Sequence, residues 1–173
     1  TARTTIKIPA GDYVVSNTIT LPPYVAIVGD GVENTVIRKS TAGPVFKTVS
    51  RQSAIGAPVT FDENTTEANQ SNNVSLSNLA IQCASDTAID LYASRDCEFS
   101  NLKITGAWAH SDAYDNNNCG IRMHSNANVT THNNKFTKIR FENVSFGAYS
   151  DFNITSNSID GCSFYKNYIG VAF

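Results

Sequence analysis

A strand unit recurs four times in the second half of the sequence. The copies cover residues 74–81, 97–104, 139–146 and 157–164, and their first residues are 23, 42 and 18 positions apart. In each copy, apolar and polar residues alternate, the phase changes at Asn78, Asn101, Asn143 or Gly161, and the alternation then resumes. Alternation with a period of two indicates a strand with one buried face, and Asn and Gly tolerate the left-handed backbone of a sharp bend. The repeat therefore predicts strand, bend, strand.

A second strand follows each copy of this unit. Residues 87–92, 119–124, 150–154 and 167–171 can be aligned as its four versions. Repeats with uneven spacing are typical of stacked coils whose loops differ in length. The sequence thus predicts an all-β, right-handed parallel β-helix with three short strands per coil. We expect a single domain, with opening coils at 1–40, an irregular, loop-rich segment at 41–73 and regular coils at 74–173.

A β-sandwich is the alternative architecture, because it also contains short alternating strands. It would place two-residue hairpin signals such as Asp-Gly between paired strands. Asp160-Gly161 is such a signal, but it occupies the bend of the repeat. Stacked coils would also allow the Asn side chains at the bends to form a hydrogen-bonded ladder. The repeat therefore favours the β-helix.

Composition excludes several classes of protein. Hydrophobic residues make up 41% of the 173 residues and charged residues only 16%, which argues against a coiled coil or a disordered chain. A net charge of −2 gives no basic footprint for nucleic acid, and no apolar run is long enough to enter a membrane. The four cysteines lack CxxC spacing and no calcium-type Asp cluster is present, so we predict neither a metal nor a cofactor.

The first forty residues resemble a known family. Residues 8–11 read Ile-Pro-Ala-Gly and are followed by Tyr13, and Gly29-Asp30-Gly31 is followed by Thr35 and Ile37. This pattern resembles the opening of pectate-lyase-like β-helix proteins, a superfamily that includes bacteriophage tailspikes and secreted polysaccharide lyases and hydrolases. The resemblance implies the fold, and it implies binding or cleavage of polysaccharide as an expectation. Since the sequence starts at Thr1 and ends within an apolar run, we expect a fragment of a longer chain.

One face of the predicted solenoid carries polar side chains suited to a glycan. If Ile89, Leu91, Ile121 and Met123 point inward, then Asp90, Tyr92, Arg122 and His124 point outward. Coils stack about 4.8 Å apart, so Asp90 should neighbour Arg122, and Tyr92 should neighbour His124. Asp151 and Asn153 should extend this face by one coil. The resemblance implies that this sheet forms the floor of a glycan groove.

The segment before Cys119 borders this face and holds an unusual set of residues. Trp108, His110, Asp112, Tyr114 and Asp115 lie within eight positions of each other. Aromatic rings can stack on sugar rings, and carboxylates can bind their hydroxyl groups. We therefore predict substrate binding by Trp108, His110, Tyr114, Tyr92, Arg122, His124 and Asn153.

Catalysis is left open by the sequence. A glycosidase needs two carboxyl groups, for which Asp112, Asp115 and Asp90 are the candidates. A lyase needs a base beside the uronate carboxylate, and the resemblance implies an arginine in that role. Arg122 would have to lose its proton, which a guanidinium resists. Asp90 and Arg122 can instead be read as a surface ion pair.

Three functions remain from the sequence. The first is a phage tailspike or tail appendage, located in the virion tail or extracellularly, that binds host cell-surface polysaccharide and has an undecided depolymerase activity. Such a protein is expected to be a homotrimer that contacts other tail proteins. The second is a secreted bacterial or fungal polysaccharide lyase or glycoside hydrolase. The third is a purely structural shaft.

Overall fold

Parallel strand pairing organises the part of the chain that the structure describes. The structure is a computed structural model that describes residues 3–49, 70–84, 86–110 and 117–173. Within these residues, nineteen strands, numbered β1 to β19 in chain order, form three sheets, and no helix occurs. Every pairing between these strands is parallel. The fold is the all-β parallel β-helix that the sequence predicts.

The three sheets differ in size. Sheet A contains β1 (Thr4–Ile8), β2 (Gly11–Val15), β4 (Val25–Gly29), β5 (Thr35–Lys39), β8 (Ser75–Cys83), β11 (Glu98–Thr105), β14 (Lys135–Glu142), β17 (Ser158–Asp160) and β18 (Ser163–Tyr165). Sheet B contains β3 (Ile19–Leu21), β6 (Phe46–Thr48), β9 (Ile89–Tyr92), β12 (Cys119–His124), β15 (Phe146–Ser150) and β19 (Ile169–Ala172). Sheet C contains β7 (Ser71–Asn72), β10 (Ser94–Arg95), β13 (Thr131–His132) and β16 (Ile154–Thr155). From β7 onward, the chain visits sheets C, A and B in turn.

From β8 onward, the step between paired residues of sheet A is constant except in one coil. In sheet A, Ser75 pairs with Glu98, Glu98 with Lys135, and Lys135 with Ser158, which are steps of 23, 37 and 23 residues. Sheet C repeats the same steps, since Arg95 lies 23 residues after Asn72 and 37 before His132. The longer coil therefore loops out its additional residues and returns to the same register.

Residues in the left-handed region of φ make the corners of the coils. Asn78, Asn101, Lys138 and Gly161 have φ values between 49° and 59° and form one column in the middle of sheet A. The Nδ2 of Asn101 donates a hydrogen bond to the Oδ1 of Asn78 at 2.8 Å. The predicted ladder of Asn side chains is therefore confirmed for these two corners.

The sequence alignment of the third copy is wrong by five residues. Because Leu102 pairs with Ile139, the third copy covers residues 134–141 and its bend is Lys138. Asn143, with φ of 53°, makes the next corner, at the end of β14. Each coil has several corners with positive φ, and Asn occurs at more than one of these positions. A change of phase at an Asn therefore does not show which corner that Asn forms.

The same error affects the second strand of the fourth coil. Residues 150–154 were aligned with β9, but β12 pairs with both β9 and β15, so the counterpart is Phe146–Ser150. The segment 41–73, expected to be irregular, contributes Phe46–Thr48 to sheet B and Ser71–Asn72 to sheet C. Residues 50–69 of that segment lie outside the described residues.

The core is a continuous column of apolar side chains. Leu76, Phe99 and Phe136 occupy one row of it and are at most 1% exposed. The rings of Phe99 and Phe136 stack with centroids 5.4 Å apart, and those of Phe141 and Phe164 stack at 5.1 Å. This packing holds the backbone of each sheet fixed, so the outward side chains of sheet B stand on a rigid base.

Candidate functional site

Outward side chains of sheet B form two adjacent columns. The register places Lys47, Asp90, Arg122 and Tyr149 in one column. It places Tyr92 beside His124 in the other. The predicted adjacency of Asp90 to Arg122 and of Tyr92 to His124 is thus present in the strand register. We call these six residues and Asp151, which follows β15, the sheet B face.

The ion pairs on this face run diagonally. Asp90 and Arg122 were expected to pair directly, but Asp90 Oδ1 lies 2.6 Å from His124 Nε2, and Asp90 Oδ2 lies 3.6 Å from Lys47 Nζ. Arg122 Nη2 instead donates to Asp151 Oδ2 at 2.9 Å. In each of the Asp90–His124 and Arg122–Asp151 contacts, the second residue lies in the next coil. It is two residues further toward the C-terminus than the residue that pairs with the first in the strand register. The face therefore carries two successive diagonal pairs.

These contacts keep Asp90 ionised. Burial alone would raise the pKa of this carboxyl group, since its side chain is only 12% exposed. The hydrogen bond from His124 and the charges of His124, Lys47 and Arg122 outweigh burial and lower the pKa below its ordinary value. Asp90 is therefore available as a carboxylate acceptor or base, and it is not a proton donor at neutral pH.

Arg122 is held in its charged form. Burial disfavours the charge, but the hydrogen bond with Asp151 and the charges of Asp90 and Asp151 raise the pKa of the guanidinium above its ordinary value. A guanidinium in this environment orients and neutralises anions and does not abstract protons.

Aromatic packing fixes the second column. The rings of Tyr92 and His124 meet edge to face, with centroids 4.9 Å apart and planes at 82°. The backbone N–H of Tyr92 donates to Thr48 Oγ1 at 3.0 Å, which ties this strand to the preceding coil. The His124 side chain is 21% exposed, so the imidazole is fixed by its neighbours but still accessible from solvent.

The long coil contains two insertions, and the first is the connection from β11 in sheet A to β12 in sheet B. Thirteen residues, 106–118, connect β11 to β12, whereas three, 143–145, make the equivalent connection one coil later. Its start is held to the next coil, because the backbone N–H of Trp108 donates to the Asn143 carbonyl at 2.9 Å. The Trp108 ring meets His110 at 4.7 Å and Tyr168 at 5.6 Å between centroids.

Three predicted site residues of this insertion cannot be placed. Asp112, Tyr114 and Asp115 fall within 111–116, outside the described residues, so their roles stay predictions. Trp108 and His110 are brought together, as the sequence suggested by their proximity, in the first part of the insertion, just after β11.

The second insertion leaves β12 toward sheet C. Residues 125–130 connect β12 to β13, whereas Ala93 alone connects β9 to β10. Asn126 Oδ1 accepts hydrogen bonds from the N–H groups of Asn128 and Val129, at 2.9 and 3.0 Å, and closes a tight turn. This turn stands at the opposite end of β12 from the first insertion.

Asn153 does not lie on the sheet B face where the sequence placed it. Its φ of 54° makes it the corner between β15 and β16, and its Nδ2 donates to the carbonyls of Asn126 and Val129 at 3.1 and 2.9 Å. The error follows from the four-residue shift in the alignment of β15. In this position the Asn153 amide supports the second insertion, and substrate contact by it stays a prediction.

Sequence reasoning missed two residues of the face. Lys47 belongs to the segment that was assigned to irregular structure, and Tyr149 was displaced by the misaligned fourth coil. The sequence did contain a signal for Lys47. Phe46-Lys47 and Ile89-Asp90 each have an apolar residue followed by a charged one, and the two segments pair in this register.

Two concave regions lie at the edges of this arrangement. One, of about 400 Å³, is lined by residues 150–157 and Phe173 and reaches the face through Asp151. The other, of about 380 Å³, includes Lys39, Cys83 and Gly106 at the ends of sheet A strands. Among the described residues, no three His, Cys, Asp or Glu side chains are arranged to hold a metal ion. No helix in the described ranges is long and apolar enough to cross a membrane.

Solved structures with a similar fold include two phage proteins. ORF18 of Geobacillus virus E2 matches with a TM-score of 0.56 and 17% identity, over 93% of this chain and 34% of that protein. The pre-mature gene product 12 of bacteriophage phi29 matches with a TM-score of 0.51 and 13% identity, over 95% of this chain and 30% of its own length. This chain thus spans about a third of each phage protein, and at these identities the similarity shows the fold alone.

An enzyme module is a more distant structural neighbour. The A-module of mannuronan C-5 epimerase AlgE4 from Azotobacter vinelandii has a TM-score of 0.43 and 15% identity, over 92% of this chain and 50% of the module. No protein with a curated description matches the sequence. The sequence profile described as rhamnogalacturonase A/epimerase, pectate lyase-like, matches residues 1–171. The chain therefore belongs to the rhamnogalacturonase A/epimerase group of pectate-lyase-like proteins.

Proposed function

We propose that the chain is the glycan-binding β-helix of a phage tail appendage, and that the sheet B face is the floor on which host cell-surface polysaccharide lies. One observation carries the proposal: both insertions of the 37-residue coil stand at the two ends of the same strand, β12. Arg122 and His124 are the outward side chains of that strand. A rigid floor between two loops is a common form of ligand site.

The side chains on and beside the floor suit sugar. Trp108, Tyr92 and Tyr149 offer aromatic surface, which stacks on the apolar faces of sugar rings. Arg122 and Asp151 offer charged hydrogen-bonding groups, and His124 offers an imidazole, all of which can bind hydroxyls. Asp112 and Tyr114 remain predicted contributors from the first insertion.

The phage assignment is supported by the two phage proteins that share the fold. A secreted enzyme is the alternative from the sequence, and a structural shaft is the other. We propose a homotrimer, bound to other tail proteins in the virion tail. Light scattering of the purified chain should give the mass of three copies, and a concentration-independent monomer would contradict the trimer.

A graft of the short turn tests the proposed function. In the variant, residues 106–118 are replaced by Asn-Val-Ser, the sequence of residues 143–145 that makes the same connection one coil later. We expect the variant to fold, because a shorter loop costs little closure entropy, and to lose retention in gels that contain host surface polysaccharide. Retention equal to that of the unaltered chain would contradict the proposal.

A pair of Tyr variants keeps the test valid if the graft fails to fold. Tyr149 lies on the sheet B face, whereas Tyr165 is 54% exposed on sheet A. Tyr149→Ala should weaken retention about tenfold, the size of a good aromatic contact, and Tyr165→Ala should leave it unchanged. Equal effects of the two substitutions would argue against the sheet B face.

Cleavage of the bound glycan is a second candidate function, favoured by the Asp90–His124 contact at 2.6 Å. Since Asp90 is held as a carboxylate, the proton donor of a hydrolase would have to be another group, and Asp112 and Asp115 are the predicted candidates. Release of reducing ends would indicate hydrolysis and release of unsaturated ends would indicate elimination. If neither appears during prolonged incubation with a glycan that binds, the function is binding alone.

A further inference from the structure

Charges on the sheet B face cancel in pairs. Lys47 and Asp90 are 3.6 Å apart, and Arg122 and Asp151 are 2.9 Å apart. The four charges sum to zero, and each cation already has a carboxylate in contact. His124 also directs its Nε2 to Asp90, at 2.6 Å. The Lys, Arg and Asp side chains of the floor therefore carry no net charge, and His124 is already engaged with a carboxylate.

The two insertions add no positive charge either. Residues 106–118 and 125–130 contain no Lys or Arg, and their only acidic residues are Asp112 and Asp115. The same segments contain five Asn residues, whose amides can both donate to and accept from hydroxyl groups. By composition, the surroundings of the floor are neutral to acidic and rich in amides.

We propose that the sheet B face selects an uncharged, hydroxyl-rich polysaccharide and discriminates against polymers of uronic acid. The inference rests on the proposed glycan-binding function and specifies its substrate class. A uronate carboxylate would have to displace Asp90 or Asp151 from its cation, or lie beside them without a counter-charge. Like charges brought together in this way are a common means of rejecting the wrong ligand.

Replacing one carboxylate of the sheet B face with a neutral side chain should reduce the discrimination against uronic acid polymers. Asp151→Asn keeps the size of the side chain and removes the carboxylate that Arg122 contacts. The matched control is Asp12→Asn, which releases Arg38 from an ion pair of 2.6 Å on sheet A and changes the net charge of the chain equally. Only the first substitution alters the sheet B face.

The experiment is affinity electrophoresis of the full chain at pH 7.5 and low ionic strength. One set of gels contains neutral polymers (dextran, galactomannan and a neutral O-polysaccharide), and the other contains polygalacturonate, alginate and hyaluronate. The unaltered chain should be retained by at least one neutral polymer and by none of the uronates. Asp151→Asn should gain about fivefold in retention on a uronate, the effect of one contact between unit charges in water, and Asp12→Asn should gain nothing.

The outcomes separate this inference from the proposed function. Retention by a uronate polymer that equals or exceeds retention by every neutral polymer would overturn the selectivity while leaving glycan binding intact. An equal gain for Asp12→Asn and Asp151→Asn would also overturn it, because net charge would then explain the effect. Retention by no polymer in either set would count against the proposed function itself.

Discussion

At the scale of single residues, the corners of the coils explain why particular side chains recur. Asn78, Asn101 and Gly161 are residue types that tolerate φ near +50°, but Lys138 occupies the same column with φ of 54°. An ordinary side chain in this region costs roughly 1–2 kcal/mol. The column is therefore well adapted at three positions and strained at one.

Lys138→Asn should stabilise the protein. Asn tolerates the left-handed backbone and, in this column, would stand next to the Asn78–Asn101 hydrogen bond. We expect the free energy of unfolding to rise by about 1 kcal/mol, measured by urea denaturation. The control is Lys135→Asn, on the same strand but without positive φ, which should not stabilise. A Lys138→Asn variant no more stable than Lys135→Asn would contradict the argument.

Asp90 should make stability depend on pH in the acid range. Its pKa is lowered in the folded protein, so the carboxylate stabilises the fold at neutral pH, and this contribution is lost as pH falls below about 4. Asp90→Asn should therefore lower the free energy of unfolding at pH 7 by about 1–3 kcal/mol and have a smaller effect at pH 2.5. The measurement is thermal unfolding at both pH values. A deficit of the same size at pH 2.5 would show that the cause is not ionisation.

At the scale of elements, alternation and Asn bends were enough to predict β8, β9, β11 and β12, their inward rows and the Asp90–Arg122 and Tyr92–His124 adjacency. They were not enough to fix the phase of the third and fourth coils. Asn143 and Asn153 are corners of other kinds, and Lys138, at the true corner, gives no sequence signal. Whether a segment forms a strand depends on its own pattern of residues. The register of that strand depends on how neighbouring coils pack, and the sequence of one coil carries no information about that packing.

The diagonal Asp90–His124 and Arg122–Asp151 contacts could not be predicted from the sequence for a related reason. Whether Asp90 contacts Arg122 or His124 depends on side-chain direction within the stack, and both lie within reach of it. Lys47 could have been found by its phase, but Asp112 and Asp115 remain predictions from sequence alone.

We expect that only Gly fits at position 120, because a sheet A side chain and the next strand of sheet B lie very close to its Cα. A Cβ there would lie 2.4 Å from a ring carbon of Phe141 and 2.5 Å from the Gly147 carbonyl oxygen. Gly120→Ala should therefore lower the free energy of unfolding by about 1–3 kcal/mol. Gly170→Ala, where the nearest atom is 3.3 Å away on Phe164, is the control and should be nearly neutral. Chemical denaturation compares the two, and equal stability would contradict the proposed crowding.

At the scale of the whole molecule, each coil is stabilised mainly by the coils above and below it. Side chains of the last described coil are more exposed than their counterparts inside the stack: Phe164 is 39% exposed, whereas Phe141 beneath it is 1% exposed. In a polypeptide of these 173 residues, local opening should therefore be easier in that coil than in the coils stacked inside.

Cysteine labelling can report this gradient. Cys162, in the last coil, is only partly buried, whereas Cys83, Cys97 and Cys119 are buried free thiols. Burial raises the pKa of both Cys83 and Cys97 to about 12. We expect one thiol per chain to react quickly with a disulfide reagent at pH 8 and the others at the rate of unfolding. Cys162→Ser should abolish the fast phase, and a fast phase that persists would contradict the gradient.

The return of the stack to its 23-residue step after the 37-residue coil has an evolutionary consequence. Because added residues leave the following register unchanged, this connection can vary in length or be exchanged between relatives without redesign of the interior. Natural diversity should then concentrate in the two segments beside β12, which would let a lineage change its target while it inherits an unaltered frame.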